Sequence, residues 1–224
     1  MEMPVPLDIV IKAVGANALL VDAAKDSFSE DTQERIWALA VQLRDMPGIN
    51  ETVPGMNNLL ALYDPLALDH IALERALHLL WADPAIVPKA GKVVDIPVIY
   101  GGPRGEDLGL WARHCGLSRE EAVQRHAHAT YRVAALGAMP GFPYLSGLPP
   151  ELAMDRRDVP RLAVAKGAVI IGGAQAGVMP TAAPSGWHVV GHADIALFDI
   201  ERVPPALLAP GDRVRFSIAG LEDD

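Results

Sequence analysis

Apolar positions along the chain repeat with two different periods, and the mixture changes near residue 90. In the first segment, Asp8–Ala13 and Ala18–Val21 are short apolar runs on either side of Gly15, which predicts two strands. Ile36, Leu39, Ala40 and Leu43 then recur at i, i+3, i+4 and i+7, the spacing that puts side chains on one face of a helix. Pro47-Gly48 ends that pattern. Two further strands are predicted at Ile49–Val53 and Asn58–Tyr63, around Pro54-Gly55. Leu73, Leu77, Leu80 and Trp81 make a second apolar helical stripe. The order ββαββα fits a small antiparallel sheet that buries both helical stripes on one face.

Asp83-Pro84 to Pro88-Lys89 has no periodicity and reads as a linker, so the expected domains are 1–88 and 89–224. Beyond it, Val94, Ile96 and Val98 alternate as a strand. Asp107–His114 and Ser118–Ala127 read as helices, with Ser118 and Glu121 spaced for a capping box. Short strands between glycines and prolines follow at Tyr131–Leu136, Ala168–Ile171, Trp187–Val190, Ala196–Phe198 and Arg213–Ile218. Many short strands with regular turns predict a barrel. The fold class is therefore α+β.

Composition removes several function classes. The 224 residues carry a net charge of −9 and no clustered Lys/Arg run, which argues against nucleic-acid binding and against an anionic membrane surface. No run is long and apolar enough for a membrane helix. The start lacks the basic and apolar parts of a secretory signal, so a cytoplasmic location is expected. The single cysteine, Cys115, excludes an internal disulfide.

Three stretches are candidates for chemistry. Gly137–Leu145 holds two prolines and two glycines around Phe142 and Tyr144, either a tight turn or an aromatic ligand wall. Gly172–Gly177 is glycine-rich but lacks the Gly-Lys-Ser/Thr of a phosphate loop and reads as a hairpin turn or a ligand loop, so no ATP site is expected on this chain alone. Pro184–His188 brings Trp187 and His188 to a strand start. Because strand ends of a barrel converge, Phe142, Tyr144, Gln175 and Trp187 are expected to line one pocket at a barrel end, with Arg161 and His188 at its rim. Against this, Phe142 and Trp187 can be plugs, and Arg156, Arg157 and Arg161 can simply pair with Asp155 and Asp158. His126 and His128 would share a face on a strand, but no third ligand lies at metal spacing, and no metal is expected. No catalytic residue stands out.

The ordered set Tyr131-Arg132-Val133, Pro140–Leu145, Gly147-Leu148-Pro149, Pro160-Arg161, Val169–Gly173, Gly186-Trp187 and Pro210–Phe216, with Tyr100-Gly101-Gly102 upstream, resembles one family over nearly the whole chain. It contains the B component of 5-oxoprolinase, the kinase inhibitor KipI and allophanate hydrolase subunit 1, and corresponds to the C and D subdomains of a carboxyltransferase domain. The resemblance implies a small α/β N-terminal domain plus a cyclophilin-like β-barrel. It implies a homologous partner (the C component, or KipA-like), a third subunit, and ATP used by the complex to hydrolyse an amide or lactam, 5-oxoproline to glutamate, with no activity in the chain alone. Carboxyl transfer to urea or allophanate, and non-enzymatic inhibition of a histidine kinase, are the alternatives it implies. The chain departs from the family's usual residues at Ala138, Ala165, Ala168, Met179, Ser185 and His192.

Overall fold

The computed structural model describes residues 9–24, 27–83 and 90–223. The chain divides into two compact units, Met1–Ala90 and Gly91–Asp224. The expected linker from Pro84 to Lys89, with its 88/89 boundary, lies outside the described residues, as does Asp8 of the first expected strand.

The first unit contains β1 (Val10–Ala13), β2 (Ala18–Asp22), α1 (Glu30–Arg44), β3 (Ile49–Pro54), β4 (Asn58–Tyr63) and α2 (His70–Ala82). The four strands form one antiparallel sheet in the order β1-β2-β4-β3. Leu19 pairs with Ala61 and Val21 with Leu59, so alternate residues of the central pair face the same way. These residues pack against Ile36, Leu39 and Leu43 of α1 and Leu73 and Leu77 of α2 in one core. Both helices start where a side chain satisfies free backbone N–H groups. Ser29 Oγ accepts from Thr32 N at 3.2 Å, and Asp69 Oδ2 accepts from Ile71 N and Ala72 N at 3.1 Å. The β3–β4 turn is tied to the start of α1, with Asn57 N donating to Gln33 Oε1 and Ser29 N donating to Asn57 Oδ1.

The second unit contains β5 (Val93–Gly101), α3 (Leu108–His114), α4 (Arg119–His128), β6 (Tyr131–Leu136), β7 (Pro143–Ser146), β8 (Arg161–Val164), β9 (Ala168–Gly172), β10 (Gln175–Val178), β11 (Ala183–Ser185), β12 (His188–His192) and β13 (Arg213–Glu222). Seven strands close a barrel in the order β10-β7-β6-β13-β5-β12-β9. Its neighbours pair antiparallel except β5 and β13, which run parallel over their whole length from Val93↔Arg213 to Gly101↔Glu222. Ile96, Val98 and Tyr100 of β5 join Val169, Ile171 and Val190 in the interior core, which continues into Trp111 of α3 and Val123 of α4. The expected capping box is present at α4, where Ser118 and Glu121 satisfy each other's backbone N–H groups.

β9 is buried at every position. Val169 and Ile171 face the barrel core, while Ala168 and Ile170 belong to a separate cluster with Val164 of β8. A two-stranded ribbon, β8 with β11, supplies the cover on that outer side. Two expectations change here. Ala196–Phe198 is not a strand, because only Phe198 makes a single bridge, to Ala206. His126 and His128 lie on α4, where a spacing of two does not share a face, so His126 is buried and His128 is not.

Candidate functional site

β9 and β10 are joined by Gly173-Ala174 in a hairpin whose last pair is Gly172↔Gln175, so the glycine-rich run is a turn. Its flanking glycines face outward, and aromatic rings occupy the room they leave. A Cβ on Gly172 would meet the Trp187 indole at 2.5 Å, and one on Gly177 would meet the Phe142 ring at 2.9 Å. The rings of Phe142, Tyr144 and Trp187 therefore converge over the outer wall of the barrel. Their centroids are 5.0 Å apart for Phe142–Tyr144, 5.8 Å for Phe142–Trp187 and 6.1 Å for Tyr144–Trp187. All three contacts are edge-to-face, the arrangement favoured by the ring quadrupoles.

A cavity of about 190 Å³ opens on this cluster, walled by the three rings with Ala138, Met179 and Arg156 among its other lining residues. The Arg156 guanidinium lies 5.6 Å from the Trp187 ring centre, in cation–π range. Phe142 and Trp187 are almost fully buried, with relative exposures of 4% and 5%, so they serve both as packing and as wall. The lining includes no carboxylate and no imidazole. It offers flat apolar surfaces, the Tyr144 and Ser185 hydroxyls and one cation, an arrangement suited to holding a small planar polar molecule.

The other three residues expected at this pocket are elsewhere, and the pocket is on the outside of the barrel wall instead of at its end. The cause is the period of two along β12. Trp187 and Val189 face the outer cluster and Val190 the interior, so His188 cannot share the face of Trp187. His188 is 4% exposed, and its Nε2 lies 2.9 Å from the Asp155 carbonyl oxygen. Gln175 begins β10 beside the hairpin turn, outside the lining. Arg161 lines a second cavity.

Nor does Arg161 pair with Asp158. Its Nη1 and Nη2 donate to the two carboxylate oxygens of Asp107 at 2.8 and 3.0 Å, and its Nε lies 3.0 Å from Glu106. Arg157 reaches the same carboxylate at 3.3 Å, and Val189 N donates to it at 2.7 Å. Asp107 precedes α3 but does not cap it, because its side chain is engaged by the ribbon and β12. Burial opposes ionisation of this carboxyl, but the Arg161 hydrogen bonds, the Val189 N–H and the charges of Arg161 and His188 outweigh it and hold the group below its ordinary value. Sequence reasoning placed Asp107 at the start of a helix but missed its role as the partner of Arg161. The arginine pairing with it is 54 residues away, and no local spacing announces such a contact. The six positions at which the resemblance implies other residues all line the two cavities: Ala138, Met179 and Ser185 the first, Ala165, Ala168 and His192 the second.

Two further titratable groups, His126 and Cys115, read as structural. His126 is enclosed by aromatic rings, with its Nδ1 2.8 Å from the Tyr100 hydroxyl. Burial pushes the Cys115 thiol up, helped by the charge of Glu151, which disfavours a reactive thiolate. Among the described residues, no group of three or more His, Cys, Asp or Glu side chains is placed to hold a metal ion.

Residues 9–208 match the family model for the carboxyltransferase domain, subdomain C and D. The chain is 47% identical to the B component of 5-oxoprolinase from Escherichia coli O157:H7, over 83% of this chain and 85% of that one. It is 31% identical to the B component of 5-oxoprolinase from Bacillus subtilis, over 92% and 91% of the two chains. Among solved structures, TTHA0988 superposes with a TM-score of 0.78 at 37% identity, covering 92% of this chain but 40% of that chain. Urea amidolyase of K. lactis shares the fold, with a TM-score of 0.78 at 20% identity, over 95% of this chain and 15% of that chain. The chain thus belongs to the family of carboxyltransferase subdomains C and D that includes the B component of 5-oxoprolinase.

Proposed function

We propose that this chain is one subunit of an ATP-driven hydrolase that opens a small amide or lactam, with 5-oxoproline as substrate and glutamate as product. The observation that carries the reading is the 47% identity with the B component of E. coli 5-oxoprolinase across 83% of the chain. The aromatic cavity agrees with it in size and chemistry. A cavity of about 150 Å³ accepts benzene, so one of about 190 Å³ suits a five-membered lactam that protrudes slightly from an open mouth. Aromatic faces stack on the planar amide, and Arg156 stands where a substrate carboxylate can pair with it.

The same lining supports the reading that the chain works with partners. Attack of water on an amide carbonyl requires a general base and a group that stabilises the developing oxyanion. Neither a carboxylate nor an imidazole lines the cavity, and the glycine-rich run is a hairpin turn instead of a phosphate cradle. Activation of the amide by ATP therefore falls to other chains, a homologous partner and a third subunit. In TTHA0988 a larger segment accompanies the matching 40% within a single chain.

The test is co-expression with the partner subunits, followed by measurement of glutamate released from 5-oxoproline with ATP. Turnover by the complex, and none by the chain alone, is expected. Arg156→Gln is expected to raise KM by about tenfold, the worth of one charged hydrogen bond. A complete complex that releases no glutamate, beside an active control complex, overturns the reading. Product formation only with a biotinylated carrier would replace it with carboxyl transfer.

A further inference from the structure

Both helices of the first unit pack on one face of its sheet, the side of Leu19, Val21, Leu59 and Ala61. Alternation along the strands sends the intervening residues to the other side. Register fixes three rows there. Lys12, Leu20, Leu60 and Val53 lie side by side across β1, β2, β4 and β3. Val10, Asp22 and Asn58 form the row on one side of them, and Ala18, Leu62 and Glu51 the row on the other. This second face is apolar at its centre and charged toward its edges. Leu20, Leu60 and Leu62 are half-buried and belong to none of the core clusters, while Val10 and Val53 are 53% and 37% exposed. Lys12 stands on the β1 edge, with a loose 3.8 Å contact to Asp22. Glu51 stands on the β3 edge, one row along, with no ion-pair partner among the described residues.

We infer that this second face is a dimerisation surface whose occupant is a second copy of the chain, the two sheets packed face to face about a two-fold axis parallel to the strands. Sheets packed in the aligned way keep their strands within about 30° of each other, which leaves an axis along the strands or one across them. An axis across the strands sets β1 on its own copy. It gathers both copies of Lys12 at one edge and both copies of Glu51 at the other, like charge beside like. An axis along the strands sets β1 on β3 of the other copy and β2 on β4. Leu20 then meets Leu60, Asp22 meets Asn58, Ala18 leaves room for Leu62, and Lys12 lies one row from Glu51. The face is thus complementary to itself in charge and in shape. Four strands of about five residues cover roughly 19 by 17 Å, about 300 Å² per copy. That is under the roughly 800 Å² per partner of a standard interface, so the dimer is a weak one. The inference is read from the first unit and is independent of the proposed hydrolase function.

The experiment is sedimentation velocity of the full chain at concentrations from about 5 to about 500 µM, where a monomer–dimer equilibrium with a dissociation constant on the order of 100 µM is expected. Leu60→Asp, outside the core, is expected to keep a cooperative thermal melt and to weaken the dimer at least about tenfold. Lys12→Glu and Glu51→Lys, both at exposed positions, should each weaken self-association by about tenfold, because each opposes like charges across the interface. An equimolar mixture of those two variants should dimerise as the unmodified chain does, since the two changes then face each other. This mixing result does not depend on the fold tolerating Leu60→Asp. A chain that stays monomeric throughout, a dimer indifferent to Leu60→Asp, or a mixture that associates no better than its components would each overturn the assignment.

Discussion

His126 is fully buried, stacked on Phe216 at 4.7 Å and edge-on to Trp111 at 5.9 Å. The Tyr100 hydroxyl is hydrogen-bonded to its Nδ1, while its Nε2 has no partner among the described residues. Burial alone pushes its pKa from 6.5 to about 3. A depressed basic pKa means that between these values the unfolded chain binds a proton that the folded one refuses. The contribution to stability is therefore complete above pH 6.5 and is lost as pH falls toward 3, at about 1.4 kcal/mol per pH unit. His126→Phe keeps the ring stack but leaves the Tyr100 hydroxyl unpaired, a cost of about 1–3 kcal/mol at pH 7. Urea melts between pH 7.5 and 5 are expected to show the variant less stable at the top of that range and falling less steeply toward the bottom. Parallel slopes for the two proteins would mean that His126 is not held neutral in the fold.

The ribbon β8–β11 is the element on which both cavities depend, and it is fastened largely through one carboxylate. Asp107 receives Arg161 and Arg157, at or beside the ribbon, and the backbone N–H of Val189 in the barrel wall. Removing one member of a buried pair costs about 3–5 kcal/mol, and because Glu106 remains beside Arg161 the lower end applies to Asp107→Asn. The loss is expected to be local. Hydrogen exchange at the Ala183–Val164 bridge should speed up while β9 keeps its protection. Unchanged exchange at that bridge would show the ribbon to be held by its apolar underside instead. Since the Asp107 carboxyl lies below its ordinary value, its clasp is intact above about pH 4 and is released as pH falls further. Such long-range ties mark where sequence reading runs out. The stripes of α1 and α2 and the alternation of β5 are written in local spacing, and Phe142, Tyr144 and Trp187 stand out because glycines and prolines flank them. β8 is not legible in that way, with Leu162 91% exposed, and Ala196–Phe198 is apolar for reasons of packing without being a strand. The position of His188 follows from the parity of β12, but only once Trp187 is known to face outward.

At the scale of the molecule, each unit buries its own core, and everything proposed for ligand binding belongs to Gly91–Asp224. The barrel of that unit is closed by its first and last strands, β5 and β13, running parallel. Two polar ties strengthen that seam, the Arg215–Asp95 pair at 2.8 and 3.1 Å and the Lys92 N–H donated to Asp212 Oδ1 at 3.0 Å. Partners there are 120 residues apart, so the seam is a contact of very high sequence separation. Deleting Arg213–Glu222 removes the shared neighbour of β5 and β6. The shortened chain is expected to lose its cooperative thermal transition; a sharp melt at the full-length temperature would show that the barrel holds without its last strand. During synthesis the same arrangement has a temporal consequence. β5 leaves the ribosome early and keeps one edge of unpaired N–H and C=O groups until the final strand emerges. At about 5–20 residues per second that delay is on the order of ten seconds, during which the nascent edge is a template for any other extended chain. A translational pause shortly before Arg213 would lengthen the exposure, and the yield of soluble protein should track the speed of that last stretch.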